Sequence, residues 1–239
     1  LKREYEKQDR MRRDFTANVS HELKTPLTSI SGYAEIIREG MVKSEDVGRF
    51  AGKIYEEAQR LITLVEDILN LSHLDEGAPG QERRQGIDLY ALCERAVASL
   101  AEAARQRGIA ISLTGSRQRV DGAEKLLAEI IFNLCDNAIK YNQENGHVAV
   151  SVTREGDRVV LTVQDTGIGI PPGETDRVFE RFYRVDKSHS KEIGGTGLGL
   201  SIVKHAAAYH DAKIQLDSQL GRGTRVRVLF PLSQKEAQP

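Results

Sequence analysis

Only two cysteines occur in the 239 residues, Cys93 and Cys135, and their spacing matches no metal-ligand pattern. This excludes a disulfide framework and suggests a reducing compartment. No run of about 18 apolar residues exists, so nothing in the chain is expected to span a bilayer. A signal peptide is also lacking. Neither sign of charge is in excess: 34 Lys and Arg stand against 35 Asp and Glu, a formal net charge of −1. Nucleic-acid binding would call for a basic face, so no nucleic-acid partner is expected. The first residue is Leu1 rather than Met, and the sequence reads as a fragment whose membrane anchor, if any, lies upstream.

What is present divides into two compositional halves. Residues 1 to about 40 carry one helical pattern. The first 13 are dense in charge and read as the end of a signalling helix entering from upstream. Gly40 is a plausible C-cap, and Ser44-Glu45-Asp46 can start a second helix. Phe50, Ile54, Ala58, Leu61, Val65, Ile68 and Leu69 then recur at three and four residues. Two long amphipathic helices with a short connection form an antiparallel hairpin over residues 1–76. A lone hairpin cannot bury both stripes, so a dimeric four-helix bundle is expected. Gly77, Pro79, Gly80 and Gly86 mark a linker over 77–86. Residues 87–233 mix helical and strand patterns and read as a second domain with helices over a mixed sheet. Residues 234–239 are a tail.

Within the first helix, Val19, Leu23, Ile30, Ala34 and Ile37 share a stripe, and His21 falls nearly opposite it, facing water. An imidazole there, followed directly by Glu22, is a candidate nucleophile and proton acceptor.

Three motifs in the second half fit one task. Asn133, Asn137, Lys140 and Tyr141 share one side of a helix. Amide oxygens are hard ligands suited to Mg²⁺, and Lys140 can offset phosphate charge. Asp165-Thr166-Gly167-Ile168-Gly169 ends a strand, where a carboxylate can accept from a purine amine and glycines admit a close ligand. Gly195-Thr196-Gly197-Leu198-Gly199 runs into a helix N-terminus, a ready phosphate site without the Gly-Lys-Ser/Thr of a P-loop. The segment between, with Phe179, Phe182, Tyr183, Arg181, Arg184, Lys187 and Lys191, reads as a lid. Each motif alone is modest; their order is specific.

With these residues the chain resembles the sensor histidine kinases of bacterial two-component systems, nearest to the phosphate-sensing type. Ser20 to Leu27 resembles the phosphoacceptor box of the HisKA domain. Asn133 to Tyr141 resembles the N box, Asp165 to Gly169 the G1 box, Phe179 to Phe182 the F box and Gly195 to Gly199 the G2 box. Gly221-Arg222-Gly223-Thr224 resembles the last glycine motif. The resemblance implies a Bergerat-type α/β sandwich that binds ATP. It implies Mg²⁺ at Asn137 with Asn133 beside it, phosphate contact from Lys140, Tyr141 near adenine and Asp165 on the adenine amine. Gly167, Gly169, Arg184, Gly195, Gly197, Gly199 and Thr224 complete the implied nucleotide site. His21 would take the γ-phosphoryl group and pass it to an aspartate of a response-regulator receiver domain. The whole would be the cytoplasmic portion of a bacterial inner-membrane sensor and a homodimer.

Two positions depart from the family pattern: His189 stands where relatives carry a lid arginine, and Asp211-Ala212 replaces a glycine pair. Glu22 would receive or orient the ring proton of His21. Thr25 lies on the same surface, and relatives with this Glu-x-x-Thr spacing dephosphorylate the regulator. Pro26 frees the Glu22 carbonyl and permits a bend. His73, His147, His205 and His210 read as ordinary surface or core residues, and Cys135 as packing. Two rivals remain: a Bergerat-fold ATPase and a non-catalytic dimerisation module. The first needs a glutamate base where Asn133 stands; the second would not need intact nucleotide motifs.

Overall fold

The computed structural model describes residues 2–75, 82–185 and 195–233. They divide into two compact units, Leu1–Leu69 and Asn70–Pro239.

The first unit is built on helix α1 (Lys2–Arg38) and most of helix α2 (Val47–Asp75). Gly40, at φ +67°, ends α1 in a Schellman motif. Met41 N–H donates to the Ile36 carbonyl at 3.0 Å and Gly40 N–H to that of Ile37 at 3.1 Å. The expected C-cap is therefore in place. Ser44–Asp46 forms a 3-10 turn, and the α-helix proper starts at Val47. Tyr33 of α1 meets Phe50 of α2 edge to face at 5.7 Å, and the Lys53 ammonium lies 5.6 Å over the Tyr33 ring. Pro26 and Leu64 are buried in the hairpin. A further apolar row stays exposed: Tyr55, Ile62 and Leu69, seven residues apart, with Leu27 and Val65.

In the second unit, five strands form one sheet in the order β2-β4-β5-β7-β6. These are β2 (Ala110–Gly115), β4 (His147–Glu155), β5 (Arg158–Asp165), β6 (Lys213–Gln219) and β7 (Gly223–Pro231). Only β2 and β4 run parallel; the other pairs are antiparallel. Along β4, Val148, Val150 and Val152 are buried and alternate with half-buried residues, as expected of a sheet with one face on the core. Helices α3 (Leu89–Gln106), α4 (Glu124–Lys140) and α5 (Gly199–Tyr209) cover that face. Leu127, Ile130, Ile131, Leu198 and Ile202 fill the layer between. This is the expected α/β sandwich following a helical hairpin.

A separate pair, β1 (Arg83–Asp88) with β3 (Arg119–Ala123), is antiparallel. The expected linker over 77–86 is thus corrected at its end: from Arg83 the chain is strand, with Gly86 at φ +71° in a bulge and its N–H on Asp121 Oδ1. Residues 77–81 of that linker, the lid residues Lys187, His189 and Lys191, and the tail 234–239 lie outside the described residues. Asp88, the last residue of β1, caps α3 by accepting from Ala91 N–H.

His210 is fully buried and is more than the ordinary residue expected. Its Nδ1–H donates to the Ala206 carbonyl at 2.6 Å, and its Nε2 accepts from Ala123 N–H, at the N-cap of α4, at 3.0 Å. A Cβ on Gly122 would collide with this imidazole. One buried ring therefore joins the end of α5 to the start of α4.

Candidate functional site

On α1, His21 is 82% exposed, and its Nδ1 lies 3.9 Å from Glu22 Oε1. That is ion-pair range but too long for a hydrogen bond. Thr25 Oγ1 donates to the His21 carbonyl at 3.2 Å. Ser20, Thr28 and Ser29 bond back in the same way, to Thr16, Lys24 and Thr25. The helix runs unbroken through Pro26. The Thr25 proton is thus committed to the backbone, while the hydroxyl oxygen keeps its acceptor capacity.

The nucleotide motifs converge at one end of the second unit. Asp165 is the last residue of β5 and pairs with Val148 at the start of β4. Its Oδ1 accepts from Gly167 N–H at 2.8 Å and Thr224 N–H at 3.1 Å. Burial raises the carboxyl's pKa; the two backbone donors oppose that shift. With Oδ1 held from two sides, Oδ2 is the oxygen that could take a further donor. The neighbouring glycines are demanded by close approach. A Cβ on Gly167 would overlap the Tyr141 carbonyl, and one on Gly223 the Asp165 carbonyl. Gly169, at φ +68°, sits against the Gln219 carbonyl. Ser218 was not anticipated. Its hydroxyl accepts from Ile170 N–H and bonds Thr224 Oγ1 at 2.8 Å, tying the Asp165 loop to the β6–β7 turn.

Tyr141 follows α4. A Cβ on Gly195 would stand 3.2 Å from its hydroxyl and 3.9 Å from Arg184 Nη2, so these three residues share one corner. Burial raises the Tyr141 pKa, and Arg184 pulls it the other way. Asn133 Nδ2 donates to the Glu129 carbonyl at 2.9 Å. Its Oδ1 lies 2.7 Å from where a Gly199 Cβ would be, so the first residue of α5 must be small. Asn137 is half-buried, and its amide makes no hydrogen bond among the described residues. Lys140 is held by Asp136, one turn back, at 2.6 Å, and must leave that partner to reach a phosphate. Among the described residues no cluster of three His, Cys, Asp or Glu side chains forms. A divalent ion here would lean on the Asn oxygens, water and the phosphates themselves, a donor set that fits Mg²⁺.

Phe182, at φ +62°, occupies the left-handed region that a bulky residue rarely adopts. Its N–H donates to the Gly197 carbonyl at 2.9 Å, fixing the glycine-rich loop. No feature of the sequence signals that conformation. Burial pushes both thiols up, Cys135 to about 12, so they pack as neutral groups.

Residues 11–77 match the His Kinase A (phospho-acceptor) domain, and residues 122–234 the histidine kinase-, DNA gyrase B- and HSP90-like ATPases. Over 229 residues the chain is 40% identical to the sensor-like histidine kinase SenX3 of Mycolicibacterium smegmatis, covering 95% of this chain and 59% of that protein. It is 37% identical over 231 residues to the phosphate regulon sensor protein PhoR of Pseudomonas aeruginosa, covering 95% and 51%. The chain therefore spans little more than half the length of these relatives. The crystal structure of histidine kinase ThkA in complex with the response regulator protein TrrA aligns with a TM-score of 0.70, covering 98% of this chain and 67% of that one. At 21% identity that likeness shows the fold alone. The two family matches, with relatives aligned along nearly the whole chain, show that it belongs to the two-component sensor histidine kinases.

Proposed function

We propose that the chain is an ATP-dependent protein-histidine kinase that phosphorylates His21 and passes the phosphoryl group to an aspartate of a response-regulator receiver domain. The observation that carries this reading is a water-facing imidazole whose Nδ1 is the ring nitrogen near a carboxylate. That leaves Nε2 as the attacking atom. As the Nε2–phosphorus bond forms, the phosphorus–oxygen bond to the leaving ADP breaks, and the Nδ1 proton passes to Glu22. Asp165 Oδ2 accepts from the adenine amine, Tyr141 stacks beside the ring, and Arg184, Lys140 and the N-terminus of α5 face the phosphates. Gly195, Gly197 and Gly199 let the backbone come close. Mg²⁺ at Asn137 and Asn133 would supply charge neutralisation. Asn133 cannot take a proton from water, which disfavours the ATPase reading. The exposed row on α2 supports a homodimer, and the ThkA–TrrA complex supports a response-regulator partner. Thr25, with its proton on the His21 carbonyl, can accept from a water aimed at a phospho-aspartate. This supports a regulator phosphatase role.

Labelled ATP tests the assignment. Wild type should trap acid-labile phosphate, and His21→Ala should trap none while still binding nucleotide. Thr25→Ala should retain labelling and forward transfer but slow decay of a pre-phosphorylated regulator at least tenfold, on the order of one interaction of 1.4 kcal/mol. Label on His21→Ala would refute the nucleophile; equal decay would refute the Thr25 role.

A further inference from the structure

The last turn of α2 belongs to the second unit, which begins at Asn70. Leu71 is fully buried and Leu74 nearly so. Asp75, the final residue of the helix, accepts from Arg181 Nη2 at 2.6 Å. The same Nη2 lies 3.2 Å from His205 Nε2. His205 Nδ1 lies 2.7 Å from the Ser201 carbonyl and donates to it, so in the neutral ring Nε2 is the acceptor for Arg181. One guanidinium thus bridges the end of α2 and the middle of α5.

The residue after Arg181 is Phe182. Its left-handed backbone is seated against Gly197, itself at φ +74°, and its N–H holds the Gly197 carbonyl. A Cβ on Gly197 would stand 3.0 Å from both Phe182 Cα and C. Two successive residues therefore act as a clamp. The Arg181 side chain reaches Asp75 and His205, and the Phe182 backbone reaches the glycine loop. An αL phenylalanine costs about 1–3 kcal/mol and persists only where its surroundings over-determine it. The bridge at Arg181 is one of those surroundings.

We propose that Asp75 is a positioning residue for the nucleotide site. It holds Arg181, and through Phe182 it holds the glycine loop in the shape that receives phosphates. This rests on the nucleotide-binding reading above. Coupling is reciprocal, so a nucleotide in the loop must also steady the last turn of α2. The pair is half-exposed, which bounds the effect to roughly threefold to fivefold in affinity.

The test uses the full chain and a non-hydrolysable ATP analogue with Mg²⁺. Calorimetry should show Asp75→Ala binding about threefold to fivefold more weakly than wild type, and Asp75→Glu, which keeps a carboxylate for Arg181, binding within twofold of it. Hydrogen exchange of the 71–75 amides should slow with nucleotide in wild type and in Asp75→Glu, but not in Asp75→Ala. A lowered Tm with unchanged affinity would assign Asp75 a structural role only and overturn the proposal. So would wild-type 71–75 amides that ignore the nucleotide. If Asp75→Ala does not fold, Asp75→Asn, which keeps one acceptor oxygen, decides by the same two readouts. Wild type that binds no nucleotide would overturn the site reading itself, a result distinct from equal binding by wild type and variant.

Discussion

Asn137 and His210 contrast a proposed metal ligand with a residue that holds the fold. The Asn137 amide has a half-buried place on α4 beside the amide of Asn133, whose own nitrogen is tied to the backbone. Asn137→Ala should keep the fold within about 0.5 kcal/mol, as a substitution outside the core does. It should lose most Mg²⁺-dependent nucleotide affinity, measured by titration with and without the metal; unchanged metal dependence would remove Asn137 from the ligand set. His210 is the opposite case. Burial holds its pKa below the ordinary histidine value by disfavouring the charged ring, and the neutral ring accepts from Ala123 N–H. The unfolded chain then binds the proton more readily than the folded one. The ring's contribution is complete above the unfolded pKa of about 6.5 and is lost as pH falls from there toward the folded value. Melting curves from pH 7.5 to 5 should fall for wild type and flatten for His210→Gln. Parallel slopes would show that this ring does not titrate with folding.

At the level of elements, helix ends explain more than helix interiors. Three helices close in Schellman motifs, and the residue after the cap is Gly40, Gly108 and Asp211, respectively. The first two are glycine, for which φ near +67° costs little. Asp211 adopts φ +54° with a β-carbon. Its ion pair with Arg83, at 3.7 Å, is on the surface and recovers little of that cost. Asp211→Gly should therefore stabilise the protein by about 0.5–1 kcal/mol. Differential scanning calorimetry should show a rise of about 1–4 °C, and a drop would mean that the Asp211 side chain holds the turn. Elements with strong periodicity were legible in advance: both hairpin helices, the helix that carries Asn133 to Tyr141, the strand that ends near Asp165 and the helix that follows the glycine run. The strands β1, β3 and β6 were not. Arg-Arg-Gln-Gly-Ile-Asp and Arg-Val-Asp-Gly-Ala lack an apolar alternation, and each becomes strand only by pairing with the other. β6 is an edge strand, half-buried at every second residue, with Ile214 and Leu216 its only large apolar side chains.

For the whole molecule, the unpartnered apolar row matters most. Tyr55, Ile62 and Leu69 repeat at seven residues and stay 66%, 50% and 55% exposed. Seven-residue spacing is the seam of a helical bundle. A second copy of the hairpin, the homodimer proposed above, would supply the partner surface. Burying an Ile or Leu contributes about 1.5–3 kcal/mol, and in a twofold assembly each substitution acts twice. Ile62→Glu with Leu69→Glu should weaken self-association by at least about two orders of magnitude, read by light scattering across a dilution series. A variant dimer as tight as wild type would exclude this row from the interface.

The residue types suited to the proposed chemistry are readable in linear order: the water-facing His21 beside Glu22, the amides of α4, the Asp165 turn and the glycine run before α5. Those follow from local periodicity and from side-chain chemistry that a linear reading contains. How they are held depends on contacts between distant segments. Asp165 Oδ1 takes a backbone donor from a residue 59 positions later, Ala123 leans on His210 from 87 positions away, and Arg181 reaches Asp75 across 106. Such bonds join segments that carry no mutual pattern. They form because packing the helices on the sheet buries polar groups that must then find partners wherever the fold has brought them.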